Sequence, residues 1–164
     1  MTALLLSVHV VAAILTVGPV AVATSMFPRA VRTATHAAAD SNQAVAPVRL
    51  LHRITRVYTV IALVVPVFGL ATAASLGVLG QAWLLVSVAI TAVAAGVLVI
   101  LILPAQRLAL DAVAGTPSAS SAEGLPRSGP MSRLAMQTGV FNLLWVVVVV
   151  LMVLRPGSTT GVGL

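Results

Sequence analysis

The sequence predicts an all-α membrane protein: four transmembrane helices in an antiparallel, up-down bundle, with two long connections on the same side. Three observations carry this. The chain of 164 residues is 60% hydrophobic and 7% charged, with mean hydropathy +1.14, more apolar surface than a soluble domain of this size can bury. Residues 134–154 contain no ionisable side chain, include five consecutive valines at 146–150, and are bracketed by Arg133 and Arg155. A run of about 20 apolar residues, each rising ~1.5 Å, matches a hydrocarbon core ~30 Å thick. Three further apolar runs precede it, none with the polar–apolar alternation of a barrel strand, so each must be helical to satisfy its own backbone in lipid.

Residues 4–25 form the first helix. No basic side chain precedes Val8, so it reads as a retained helix and not a signal peptide. His9, Ala12, Ala13, Thr16, Val20, Ala23 and Thr24 share a small, faintly polar face suited to close packing in a bilayer. Pro19 cannot bond the Leu15 carbonyl and predicts a bend. Residues 27–51 make the first connection, with a short interfacial or extended helix over 31–39 and a turn or cap at Asp40-Ser41-Asn42. Residues 52–77 form the second helix. Thr59, Ala62, Pro66, Gly69 and Ala73 recur there at helical spacing as a packing seam, and Pro66 predicts a kink. A tight uncharged turn over 77–81 leads to Trp83 at the interface and a third helix over 82–103. The second connection follows Pro104, and its Gly-, Pro- and Ser-rich part, 115–130, predicts a flexible loop. The fourth helix, 134–154, places Thr138, Asn142, Trp145, Val149 and Met152 on one face, with Asn142 as an interhelical hydrogen-bonding group.

Charge sets the orientation. Eight of the nine arginines lie in the two long connections and their flanks, and only Arg155 lies opposite. The positive-inside rule therefore puts both connections in the cytoplasm and both termini outside. The chain has no lysine and is rich in alanine, valine and glycine, the composition of a GC-rich bacterial genome, so the expected location is the bacterial cytoplasmic membrane. A net charge of +6 is no sign of nucleic acid here, because the arginines flank apolar runs, where they meet anionic lipid headgroups. Arg49, His52, Arg53, Arg56 and Arg133 form the expected contact set for headgroups or a partner.

Few residues can carry chemistry. Cysteine is absent, which excludes disulfides and thiolate metal sites. The three acidic residues, Asp40, Asp111 and Glu123, all fall in connections, so no membrane carboxylate is available for proton-coupled transport. No catalytic set, metal-binding helix motif or phosphate loop is present. His9, an imidazole within the bilayer, is a haem- or metal-ligand candidate. Against this stands a neutral histidine bonded to Ser87, Thr91, Thr72 or Ser75, which fall at similar depth. His52 lies at the opposite end of the membrane, so the two histidines cannot be axial ligands of one haem. Met152 is the other soft candidate ligand.

Three stretches carry a resemblance: Val8-His9-Val10-Val11-Ala12-Ala13-Ile14-Leu15-Thr16-Val17-Gly18, the arginine-flanked start of helix two with Pro66 and Gly69, and the ending Leu151-Met152-Val153-Leu154-Arg155-Pro156-Gly157. Over its four helices the chain resembles a family of small bacterial four-helix integral membrane proteins of unknown function. The first stretch is also distantly similar to the copper-resistance CopD and protoporphyrinogen-oxidase HemJ groups. In those groups an early histidine precedes a tryptophan–glycine step and some members bind haem; here Thr16-Val17-Gly18 has no tryptophan.

The expected function is non-enzymatic: association with other membrane subunits or with a second copy, as an accessory subunit or scaffold. No cofactor or metal is expected under this reading. The alternative is a haem b- or metal-binding redox protein using His9, and a small-molecule transporter is third.

Overall fold

The structure, a computed structural model, describes residues 2–36, 41–115 and 129–157. Among these there are six α-helices, one π-helical segment and no strand: α1 (Thr2–His36), α2 (Ser41–Ile61), α3 (Val64–Leu76), α4 (Ala82–Gly96), the π segment (Val97–Ile102), α5 (Leu103–Ala114) and α6 (Gly129–Leu154). They make four helices long and apolar enough to cross a membrane: Thr2–His36, Gln43–Leu76, Ala82–Ala114 and Met131–Leu154. The loop expected at 115–130 lies almost wholly outside the described residues, as do Asp40, Glu123 and Arg127.

The first three helices are longer than the hydropathy boundaries. α1 does not stop near residue 25; it passes through Pro19 and Pro28 and reaches His36. Its inner face explains this. Thr16, Val20, Ala23 and Thr24 are buried, and the same face continues through Phe27, Val31 and Ala34. Likewise α2 starts well before His52, because Val45, Val48 and Thr55 recur at helical spacing and are buried while Arg49, Arg53 and Arg56 point outward. The segment read as a connection is thus an amphipathic extension of two spans.

Proline shapes the second and third spans. Pro66 has no N–H to offer the Ala62 carbonyl, so that carbonyl accepts from Val65 instead, at 3.1 Å, and Leu63 N–H bonds Val60 at 3.2 Å. These tightened bonds separate α2 from α3. Past the break Val65, Thr72 and Ala73 are buried; of the Thr59, Ala62, Pro66, Gly69 and Ala73 stripe, Pro66 alone is exposed. α3 ends at Gly77, whose φ of 69° is left-handed. Gly77 N–H bonds Ala74 and Val78 N–H bonds Ala73, which closes the turn as a Schellman motif.

In the third span Leu103 N–H bonds the Leu98 carbonyl, five residues back. Pro104 supplies no N–H to the ladder. The wide turn before it lets Ala94, Leu98, Ile102 and Gln106, four residues apart, all remain buried; in a straight α-helix each such step drifts by roughly 40°. One core cluster joins Val20, Phe27, Val31, Val48, Ala94, Leu98, Ile102, Ala109, Leu134 and Phe141. A smaller one, Ala73, Trp83 and Leu84 with Val78 and Met152, closes the other end. There the Arg155 guanidinium lies 5.7 Å from the Trp83 ring centroid.

Candidate functional site

Among the described residues, the arginine-rich end is built from helix surfaces. On α1, Arg29, Arg32, Thr33 and His36 line an open groove of about 580 Å³, at positions that fall on one helical face. Arg49, Arg53 and Arg56 of α2, Arg107 of α5 and Arg133 of α6 are exposed, and His52 is half-buried. Hydropathy alone ends α1 at residue 25 and so hides this stripe. Its spacing of three and four residues was the signal that the helix continues.

Three side-chain contacts tie the spans together, one buried, one part-buried and one exposed. His9, buried, sits on α1 with its Nδ1 2.9 Å from the Val65 carbonyl. A carbonyl only accepts, so Nδ1 carries a proton and donates; in the neutral ring that leaves the lone pair on Nε2. The ring lies on Gly69: a Cβ there would come within 2.8 Å of His9 Cε1 and 3.1 Å of Nδ1. None of the four hydroxyls expected as partners is used. Thr72, Ser75, Ser87 and Thr91 each donate to a carbonyl of their own helix, the cheaper local solution for a hydroxyl in lipid.

The second contact joins α2 to α5. His52 Nδ1 lies 3.3 Å from Gln106 Oε1. His52 therefore faces partly inward, while its arginine neighbours do not. The third joins α6 to α1: Asn142 Nδ2 donates to Ser25 Oγ at 3.2 Å. Of the helix-two seam, Thr59 and Ala62 are half-buried, Gly69 holds His9, and Ala73 packs with Trp83. Met152 packs in that Trp83 cluster, a different environment from the Val65–Gly69 surface that holds His9. Among the described residues no three His, Cys, Asp or Glu side chains come together as a metal site.

A family model described as a predicted integral membrane protein, DUF2269, matches residues 3–156. The chain belongs to this family. No curated protein and no solved structure matches it. The DUF2269 chain is thus a multi-pass integral membrane protein, and its four spans cover nearly all of the matched region.

Two further groups of this DUF2269 member were not singled out as a site from sequence. Gln106 is wholly buried, carried inward by the π segment, and Thr138 is buried on α6. The run of four-residue steps from Ala94 to Gln106 held the first signal; a helix of uniform pitch hides it.

The His9–Gly69 contact makes a direct prediction. Gly69→Ala must displace a buried, hydrogen-bonded ring and should destabilise the bundle by about 1–3 kcal/mol, the usual range for overpacking. Gly18→Ala, with open space around its position, should be neutral or slightly stabilising. Thermal unfolding of both variants in one detergent separates them, and equal midpoints would remove the contact.

Proposed function

We propose that this protein works by association, as a non-enzymatic accessory subunit or scaffold in a larger membrane assembly. One observation supports the reading most. Met136, Gly139, Leu143, Val146, Val150 and Val153 are all exposed on α6, and their spacing alternates three and four. That is the seam of a helix awaiting a partner helix. Nothing lies within 4 Å of where a Gly139 Cβ would stand, so a second backbone can approach closely. Valine in a helix holds one dominant rotamer and loses little entropy when packed. The occupant is a helix of another subunit or of a second copy, and anionic headgroups take the arginine-rich end.

The test uses the absence of native cysteine. Val146→Cys in native membranes should give a covalent species of higher mass on oxidation or with a bifunctional thiol reagent. Val67→Cys, exposed on the second span, is the control. No adduct beyond the control would end the proposal.

The same reading puts the protein in a bacterial cytoplasmic membrane with the arginine-rich end in the cytoplasm and both termini outside. Thr33→Cys should then resist an impermeant thiol reagent on intact cells, whereas Gly80→Cys, at the opposite end between α3 and α4, should react. The reverse pattern would invert the orientation.

A second reading, a redox protein with haem b or a metal at His9, is favoured by one feature. With Nδ1–H on the Val65 carbonyl, the neutral ring presents Nε2 as a ligand atom, the arrangement by which second-shell carbonyls orient ligating imidazoles. His9 supplies one ligand only, and Met152 belongs to the Trp83 cluster. The bound group would bring the electron-transfer chemistry. A Soret band in the detergent-purified protein that vanishes in His9→Ala would establish this reading, and its absence from protein made in haem-replete cells would discard the haem.

A further inference from the structure

We infer that the bundle interior holds a file of bound water along α6, running from Gln106 past Thr138 and Asn142 to Trp145. Four buried side-chain atoms have no protein partner among the described residues: Gln106 Nε2, Thr138 Oγ1, Asn142 Oδ1 and Trp145 Nε1. They are not scattered. Thr138, Asn142 and Trp145 follow one another on a single face of α6 and span about 10 Å of its rise. Gln106 belongs to the same core: it lies between Ile102 and Ala109 on α5, Thr138 lies between Leu134 and Phe141 on α6, and those four apolar residues are members of one packed cluster.

The burial is nearly complete at the Gln106 end, where Gln106 is 0% and Thr138 3% exposed. Thr138 is also unlike the other buried hydroxyls. Thr16, Thr24, Thr55, Thr72 and Ser87 each donate to a carbonyl one turn earlier, which frees them of any need for water. Thr138 makes no such bond and turns its hydroxyl into the bundle. Gln106 pairs one amide atom with His52; either orientation of the amide leaves the other atom bare.

The chemistry of the four atoms matches water. Trp145 Nε1 can only donate and Asn142 Oδ1 can only accept. They stand one turn apart on α6, so a water accepting from the indole can donate to the amide oxygen. Thr138 both donates and accepts, and it precedes Asn142 by one turn on α6. A buried polar group left unpaired in a medium without water costs its full desolvation penalty, and natural proteins satisfy such groups with internal water making two to four bonds. Nothing in the set carries a charge that would call for an ion. The site therefore takes water, a neutral ligand with both donors and acceptors.

The experiment uses the full chain in lipid nanodiscs. The sequence has two tryptophans, so the indole N–H signals are two, and Trp83, bonded to Gln81 near the end of its span, is the reference. The Trp145 indole should show a magnetisation-transfer cross-peak to water. Thr138→Val should also lower the thermal midpoint, by about 2–4 °C for a chain of this size, because a hydroxyl bonded to water is lost. In a dry core, deleting an unpaired hydroxyl leaves the midpoint unchanged or raises it. No water cross-peak at Trp145 in the native chain, or a Thr138→Val midpoint at or above the native one, would overturn the inference.

Discussion

Hydrocarbon offers no hydrogen bonds, so every polar group within a span must find its partner inside the protein, and the local structure of this chain is a set of answers to that demand. The backbone does it by helix. Where proline removes an N–H, the neighbours adjust. Before Pro66 the ladder tightens to three-residue bonds, and before Pro104 it widens to a five-residue bond. Hydroxyls do it by bonding back to their own helix. His9 reaches across to another helix because an imidazole cannot bond back as a hydroxyl does.

The same solvent removes the usual force for assembly. Lipid tails are as apolar as leucine, so burying Val20 or Phe27 between helices gains no hydrophobic free energy over leaving them in lipid. What remains is close packing and a few polar contacts. Interhelical hydrogen bonds in membranes average about 0.6 kcal/mol, so the three that link these spans contribute modestly. The Arg155–Trp83 contact adds a sum of the same order, about 0.5–2 kcal/mol for a cation–π pair. Packing must supply the greater part. That is why Gly69 matters: its missing Cβ is the space that the His9 ring occupies.

The two sides of the α6 helix illustrate a division of labour. Its outer face exposes Met136, Gly139, Leu143, Val146, Val150 and Val153. Its inner face carries Thr138, Asn142 and Trp145 against the core. Arg29, Arg32, Arg49, Arg53, Arg56, Arg107 and Arg133 stand apart from both, exposed on α1, α2, α5 and α6. The outer face, the exposed arginines and the inward polar groups thus occupy separate surfaces, and each can be altered with little disturbance of the others.

Four spans, their helical character and the place of the Pro66 break were legible in the sequence, because length, apolarity and the missing proline N–H are local properties. The amphipathic faces of α1 and α2 were legible too, but hydropathy averaging cut them at residue 25 and residue 52, where arginines begin to share the helix with buried valines. The tertiary structure decided what no periodicity could. It chose the Val65 carbonyl over four available hydroxyls as the partner of His9, since those hydroxyls were already satisfied within their own helices. It brought Gln106 to His52 by a wide turn whose pitch a helical wheel does not contain. It also set the Thr138 hydroxyl facing inward. Local chemistry determines which segments enter the membrane; only the packed bundle determines which polar atoms within it are left to find a partner.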